Sequence, residues 1–278
     1  MPVTIVTDSS CDIPQELLQQ ADIRVVPCSV SFGDQAYRDG VDIDREQFYA
    51  RLTGGTLFPT TSQPAVSEFQ EVFAALRNED HEVVAVLLSA KLSATVNSAT
   101  QARNALDENG PIDIVDSQQT SMGLGFMALE AANLAAQGAS RQDIVSRVLD
   151  LRGRTHTYAM LDTAEYLRRG GRAGRAQSLL VSALQVKPIL TISEGEAAPV
   201  ARPRTRRKGL DEVVSRVQSL APLQQAAVMY TTDPEDAEAI GHRISSDTGV
   251  EVVRARFSPV LGSHLGPRAL GAVVISAQ

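Results

Sequence analysis

Apolar positions along this chain follow two rhythms. Compact aliphatic runs at residues 3–7, 83–88, 112–116 and 226–230 alternate with longer stretches whose apolar positions recur every three or four residues. The first rhythm reads as buried strand and the second as amphipathic helix. In residues 65–77, for example, Phe69, Val72, Phe73 and Leu76 fall on one helical face. The stretch at 82–99, EVVAVLLSAKLSATVNSA, holds both patterns. Its run at 83–88 predicts a strand covered on both faces. Residues 89–92 turn the chain, and Ser93, Ala94 and Thr95 open a helix. Residues 23–32 are β-branched and predict one strand, followed by a hairpin-like excursion punctuated by Gly33, Asp34 and Gly40. Asp12, two residues before Pro14, reads as a helix cap.

Strands and helices alternate through the first half, which predicts a parallel, three-layer α/β unit. The second half has a different texture. A strand at 157–161 precedes a short helix at 164–169, ended by Gly170-Gly171, and a small-residue helical stretch at 172–184. Strands at 187–192 and 198–202 flank Glu194-Gly195-Glu196, a hairpin signal. Helices at 208–220 and 235–248, a strand at 250–257, a loop at 258–267 and a strand at 272–276 complete the chain. This mixture predicts an α+β unit on a mixed sheet. The domains are therefore expected at 1–154 and 155–278, with any ligand between them. In parallel sheets ligands sit beyond the carboxyl ends of the strands, where Asp8, Ser89 and Asp116 fall.

Charge sharpens this division. The net charge is −7, yet residues 1–151 hold 21 acidic and 9 basic side chains and residues 152–278 hold 12 and 17. A basic second half suits an anionic or acidic partner. Composition excludes other classes. No run of 18 apolar residues is present, so no membrane-spanning helix is predicted. MPVTIVTDSS lacks the basic and apolar regions of a signal peptide. With only Cys11 and Cys28, the expectation is a reduced, cytoplasmic protein without a zinc site.

Four polar clusters are candidates for chemistry. Thr60-Thr61-Ser62-Gln63, closed by Pro64, is either an anion cradle or a capped helix start. Ser93-Ala94-Thr95 is either a helix cap or a site where hydroxyls and unpaired N–H groups meet an anion. His264 lies between Gly262 and Gly266 and is either a hydrogen-bond donor to a ligand or a loop histidine bonded to backbone. The fourth cluster is basic: Arg168, Arg169, Arg172 and Arg175, then Arg202, Arg204, Arg206, Arg207 and Lys208. Arginine forks suit phosphates and carboxylates, although a solvated face is the ordinary reading. No aromatics interleave with these cations and the chain is acidic overall, which argues against nucleic acid. Serine hydrolysis would need Ser93 or Ser263, His264 and an acid such as Asp8 or Asp116 in one constellation. No G-x-S-x-G, GxxxxGK[ST] or GxGxxG motif supports catalysis.

Seven segments, in order, resemble the DegV family: Val6-Thr7-Asp8-Ser9-Ser10; Thr60-Thr61-Ser62-Gln63-Pro64; Leu92-Ser93-Ala94-Thr95 with Asn97-Ser98-Ala99; Asp116-Ser117 with Met122-Gly123; Leu167-Arg168-Arg169-Gly170-Gly171-Arg172; Lys187-Pro188-Ile189-Leu190; and Gly262-Ser263-His264-Leu265-Gly266-Pro267. The resemblance implies a two-domain, cytoplasmic bacterial fatty-acid-binding protein with no cofactor, no metal and no catalysis of its own. It implies a buried acyl chain such as palmitate, with the carboxylate held at Thr61, Ser62, Ser93, Ala94 and His264. It further implies a partner fatty acid kinase that makes acyl phosphate for phospholipid synthesis, with transient membrane or acyltransferase contact. Arg169, Arg172, Arg202 and Arg204 are the implied partner or phosphate contacts. Ala94 stands where the family often has glycine, a mild departure at a helix start. A carboxylate offers about four acceptor sites, which two hydroxyls, a helix-start N–H and an imidazole can fill. Affinity must come mainly from the tail, at about 0.8 kcal/mol per buried methylene. The expected lining is Leu124, Phe126 and Met127 from the first half, and Leu180, Leu184, Ile189, Phe257, Val260 and Leu261 from the second.

Overall fold

The apolar run at 83–88 lies at the centre of the molecule. The computed structural model describes residues 1–108, 110–179 and 186–277. Its strands are β1 (Val3–Asp8), β2 (Ile23–Val26), β3 (Ser29–Phe32), β4 (Gln35–Arg38), β5 (Thr60–Ser62), β6 (Glu82–Leu87), β7 (Ile112–Asp116), β8 (Thr155–Met160), β9 (Ile189–Ser193), β10 (Glu196–Ala201), β11 (Leu223–Tyr230), β12 (Val252–Arg256) and β13 (Leu270–Ser276). Its helices are α1 (Gln15–Ala21), α2 (Arg45–Gly54), α3 (Val66–Asn78), α4 (Thr95–Asp107), α5 (Met122–Ala136), α6 (Arg141–Arg152), α7 (Glu165–Arg169), α8 (Arg206–Gln218), α9 (Pro234–Thr248) and α10 (Pro259–Leu265).

β6 is an inner strand of a parallel sheet ordered β2-β1-β6-β7, with Ile5 opposite Val84 and Ala85 opposite Ile114. Both faces are covered, which is why the strand reads as continuous apolar sequence. Phe69, Phe73 and Leu76 of α3 and Ala99 and Ala102 of α4 pack on one face. Met122, Leu124, Met127, Ala128 and Ala131 of α5, with Ile144 and Val148 of α6, pack on the other. This is the predicted three-layer α/β unit.

The mixed sheet is also present, ordered β10-β9-β8-β13-β11-β12, with β11 and β12 parallel and the other pairs antiparallel. α8 and α9 cover one face through Val213, Val214, Val217, Ile240 and Ile244. The opposite face meets α5: Ala227, Met229, Val273 and Ile275 join the same apolar cluster as Leu124 and Met127. α5 therefore serves both sheets. A small residue allows its close approach to the mixed sheet; a Cβ on Gly123 would lie 3.1 Å from Thr157 Oγ1 of β8.

Three local expectations need correction. Residues 23–32 form two strands, because Pro27 and Cys28 carry the chain from the parallel sheet into a separate antiparallel sheet ordered β4-β3-β5. Asp12 caps no helix. It adopts φ 54° and is buried, accepting from Ser121 Oγ at 2.5 Å and from Ser258 N at 2.7 Å. Residues 259–265, expected as loop, form the helix α10, started by Pro259 at its first position. α10 lies on the three-stranded sheet and α2, with Val260 in a cluster containing Val30, Phe48 and Tyr49. Of the stretch at 172–184, residues Gly174–Leu179 form a 3₁₀ helix; Leu180 and Leu184 lie outside the described residues. Among the described residues, no helix is long and apolar enough to cross a membrane.

Candidate functional site

A cavity opens where the three sheets meet. Leu88 and Leu92 approach it from beyond the end of β6, Thr157 and Ala159 from β8, Leu190 and Ile192 from β9, and Val260, Leu261 and Leu265 from α10. The space open to a water-sized sphere is about 100 Å³ and its surface is almost wholly apolar. Polar groups on this wall are Thr61, Ser62, Gln63, Ser93, Thr120, Thr191, Arg172 and His264.

A hydrogen bond joins two of these, and two more lie on neighbouring segments. Thr61 Oγ1 lies 2.8 Å from His264 Nε2. β5 supplies Thr61, held by its pairing with Val30 of β3, and the last turn of α10 supplies His264. Arg172 reaches across from the segment after α7. Its Nε donates to the Leu92 carbonyl at 3.4 Å and a terminal nitrogen donates to the Gly170 carbonyl at 2.8 Å. Ser93 follows Leu92 directly. Segments separated by up to 203 residues thus converge on the wall of an apolar cavity.

Ser93 does not cap α4. The cap position is Ala94, which gives no side-chain cap bond, at φ −80°, where alanine is unstrained. Ser93 Oγ lies 2.9 Å from Thr95 Oγ1. The N–H groups opening this helix are left without a side-chain cap, the arrangement that favours an anion.

Burial pushes the His264 imidazole down from its ordinary value near 6.5 to about 4, and the Arg172 cation adds to the shift. The ring is neutral at neutral pH. Its Nδ1 is buried and has no hydrogen-bond partner. The site can therefore offer an anion neutral donors and, from its solvent-exposed side, the guanidinium of Arg172.

The hydrolase constellation does not assemble. Ser263 is buried and its Oγ donates to the Pro259 carbonyl at 2.8 Å. Asp8 accepts from Ser10 N, Ser10 Oγ and Leu88 N. Asp116 Oδ1 accepts from Ala90 N and Gln118 N. Among the described residues no group of three His, Cys, Asp or Glu side chains is placed to hold a metal ion. Cys11 and Cys28 are free and buried, and Cys28 touches the cavity.

A family model described as "Uncharacterised protein, DegV family" matches residues 2–277. The chain belongs to the DegV family. A DegV domain-containing protein of Caldanaerobacter subterraneus is 35% identical over 273 residues, 97% of each chain. A DegV family protein from Thermus thermophilus, solved to describe its fatty acid binding, superposes with a TM-score of 0.92 at 32% identity, over 99% of this chain and 100% of that one. A fatty acid (stearic acid)-binding protein from Eubacterium ventriosum gives 0.92 at 28% identity, over 99% and 98% of the two chains. Both of these solved relatives are described as binding fatty acid.

In this DegV family chain, Thr61, Ser62, Ser93 and His264 line the cavity and Ala94 adjoins it as the cap of α4. Of the expected apolar lining, Val260 and Leu261 reach the wall. Leu124, Phe126, Met127 and Phe257 do not; they are spent in the core that joins α5 to both sheets. Ile189 packs with Met160 and Val213 beneath α8, while Leu190 faces the cavity. Successive strand residues point to opposite faces, so this expectation missed by one residue. Leu88, Leu92, Leu167, Thr157, Ala159 and Ala197 were not foreseen as lining; their position just beyond strand ends or on alternating strand faces was the available signal.

Of the four arginines, only Arg172 reaches the cavity. Arg169 is paired with Glu165 at 2.8 Å and lies 3.8 Å above the Phe58 ring. Arg202 and Arg204 are exposed, beyond β10 and before α8.

Proposed function

We propose that this protein binds a long-chain fatty acid such as palmitate in the apolar cavity and presents its carboxylate to a separate fatty acid kinase. The carboxylate is held by Thr61, Ser62, Ser93 and His264, beside the first N–H groups of α4 at Ala94. The observation that carries this reading is the combination of an almost wholly apolar cavity with hydroxyls, a neutral imidazole and one guanidinium on its wall. A nucleotide would meet too few polar partners there, whereas one anionic head with an apolar tail matches both parts. The tail supplies the affinity, at about 0.8 kcal/mol per buried methylene, and the head fixes its direction.

On this reading residues 1–154 and 155–278 act as two domains with the ligand between them. The chain is a cytoplasmic carrier and not a catalyst. A partner kinase transfers a phosphoryl group to the presented carboxylate, and the acyl phosphate passes to phospholipid synthesis. Arg169, Arg172, Arg202 and Arg204 supply positive charge for that partner or for the new phosphate.

Solvent extraction of protein purified from a bacterial host, followed by mass spectrometry, is expected to release stoichiometric fatty acid. Delipidated protein that fails to rebind palmitate would overturn the proposal. The carrier role is checked with ATP and the candidate kinase: acyl phosphate is expected only when both proteins are present. Turnover of acyl esters by the purified chain alone, abolished in Ser93→Ala, would replace the carrier reading with a hydrolase.

A further inference from the structure

Gly170 presses against the imidazole that forms one side of the carboxylate site. A Cβ built on Gly170 would meet His264 Nδ1 well inside the 3.0 Å below which real Cβ contacts essentially never occur. The Cα–H bond that takes the place of that side chain is therefore directed at Nδ1. The Gly170 carbonyl accepts from Arg172, and among the described residues Nδ1 has no hydrogen-bond partner.

This contact decides where the single proton of a neutral imidazole resides. A proton on Nδ1 would be a buried, unpaired donor facing a C–H group. Orphaned buried donors are the rarer and costlier case. A bare Nδ1 lone pair facing a polarised Cα–H makes a weak favourable contact. The proton then sits on Nε2, which lies 2.8 Å from Thr61 Oγ1. Nε2–H donates and Thr61 Oγ1 accepts, which leaves the hydroxyl proton of Thr61 free to point into the cavity, so that His264 holds the carboxylate through Thr61 and not by a direct bond. In the other tautomer Nε2 would take that proton, and Thr61 would turn lone pairs toward an incoming anion.

We infer that Gly170 is a positioning residue: by facing Nδ1 without a side chain it holds His264 as the Nε2–H tautomer, and so makes Thr61 a hydrogen-bond donor to a carboxylate. The inference rests on the fatty acid reading for its ligand but not for its first test. Arg172 bonds the Gly170 carbonyl and spans to Leu92, so the same short segment fixes the imidazole and closes the site.

The first test needs no ligand. In delipidated, ¹⁵N-histidine-labelled protein at pH 7, long-range ¹H–¹⁵N correlation is expected to show His264 with a protonated Nε2 and a bare Nδ1. His264→Gln identifies the signal by its loss. The reversed pattern, or an even mixture, overturns the inference. The second test is a double-mutant cycle with palmitate. Gly170 has φ −72° and ψ −9°, so alanine suits the backbone and the imidazole must yield. Gly170→Ala is expected to weaken binding roughly 10- to 100-fold, the scale of a hydrogen bond to a charged group. In a His264→Ala background it is expected to cost less than about twofold. Equal losses in both backgrounds would make Gly170 a merely structural residue. If the wild-type protein binds no fatty acid, the functional reading fails, and the tautomer spectrum still decides the placement of the proton.

Discussion

Ser93 shows how a residue's role depends on what its neighbours have already satisfied. A serine at a helix start is ordinarily a cap, and its replacement by alanine costs about 1 kcal/mol. Here the cap position belongs to Ala94 and the Ser93 hydroxyl is hydrogen-bonded to Thr95. Ser93→Ala is therefore expected to leave the melting temperature within about 1 °C, whereas loss of a true cap would lower it by about 2–4 °C in a chain of this size. Palmitate affinity is expected to fall roughly tenfold or more. Calorimetric melting and a binding titration on the same variant separate the two roles. Ser263 is the contrasting case, since its hydroxyl is committed to the Pro259 carbonyl. The sequence offered either serine as a hydrolase nucleophile, and the hydrogen-bond partners of each distinguish them.

At the scale of elements, α10 matters most, because it carries His264. Two buried carboxylates hold its start: Asp12 accepts from Ser258 N at 2.7 Å, and Asp39 accepts from Ser9 Oγ at 3.0 Å and Val260 N at 3.5 Å. Tyr49 adds a hydrogen bond to the Phe257 carbonyl at 3.0 Å. Burial pushes Asp12 up to about 6 and Asp39 to about 7, from an ordinary value of 3.8, against the opposing pull of Arg45. A raised carboxyl value in the folded state means that the stabilising proton is fully held below about 3.8 and lost as the pH rises through about 7. Asn at position 39 mimics the protonated form and keeps an acceptor oxygen. Asp39→Asn is therefore expected to match the wild type in melting temperature near pH 4, to gain on it as the pH rises toward 7 and to exceed it by its largest margin at pH 8. A constant difference between pH 4 and pH 8 would contradict this account.

Close packing on the other side of α10 gives a second test. A Cβ on Gly262 would lie 2.5 Å from Tyr49 Oη and 2.8 Å from a Phe48 ring carbon. Gly262→Ala should displace the helix and cost about 1–3 kcal/mol by overpacking, read by chemical denaturation. These two glycine-flanked turns explain why the sequence suggested a loop at 258–267. Pro259, Gly262 and Gly266 look like punctuation, and seven residues are too few to display a 3.6-residue rhythm. The long elements were legible for the opposite reason. β6 has an uninterrupted apolar run and α3 has three fully spaced core residues, Phe69, Phe73 and Leu76. The division of residues 23–32 was hidden because β-branched residues mark strands without saying which sheet they join.

The whole molecule is arranged so that the polar groups of the cavity come together only when distant segments meet. β5, the turn before α4, the segment after α7 and α10 each supply one wall, and no single stretch of sequence contains a binding motif. That is why Thr61, Ser93 and His264 stood out as polar loop clusters but their convergence rested on the family resemblance. The cavity lining was less legible, since Leu124 and Phe257 are chemically indistinguishable from Leu92 and Leu190 until the layers are known. α5 took the former for the shared core, and the space left over became the cavity.

A site assembled from both halves of the chain links ligand occupancy to global stability. A ligand bound only by the folded state adds RT ln(1 + [L]/Kd), about 2.7 kcal/mol at a hundredfold excess over Kd. For a chain of this size each kcal/mol corresponds to about 2–4 °C. Delipidated protein at a hundredfold excess of palmitate over Kd is therefore expected to melt about 5–11 °C higher than without it. Octanoate, with eight fewer methylenes to bury at about 0.8 kcal/mol each, should give a much smaller rise at the same concentration. An equal rise with both acids would mean that the carboxylate alone drives binding, and that the apolar cavity is not where the tail resides.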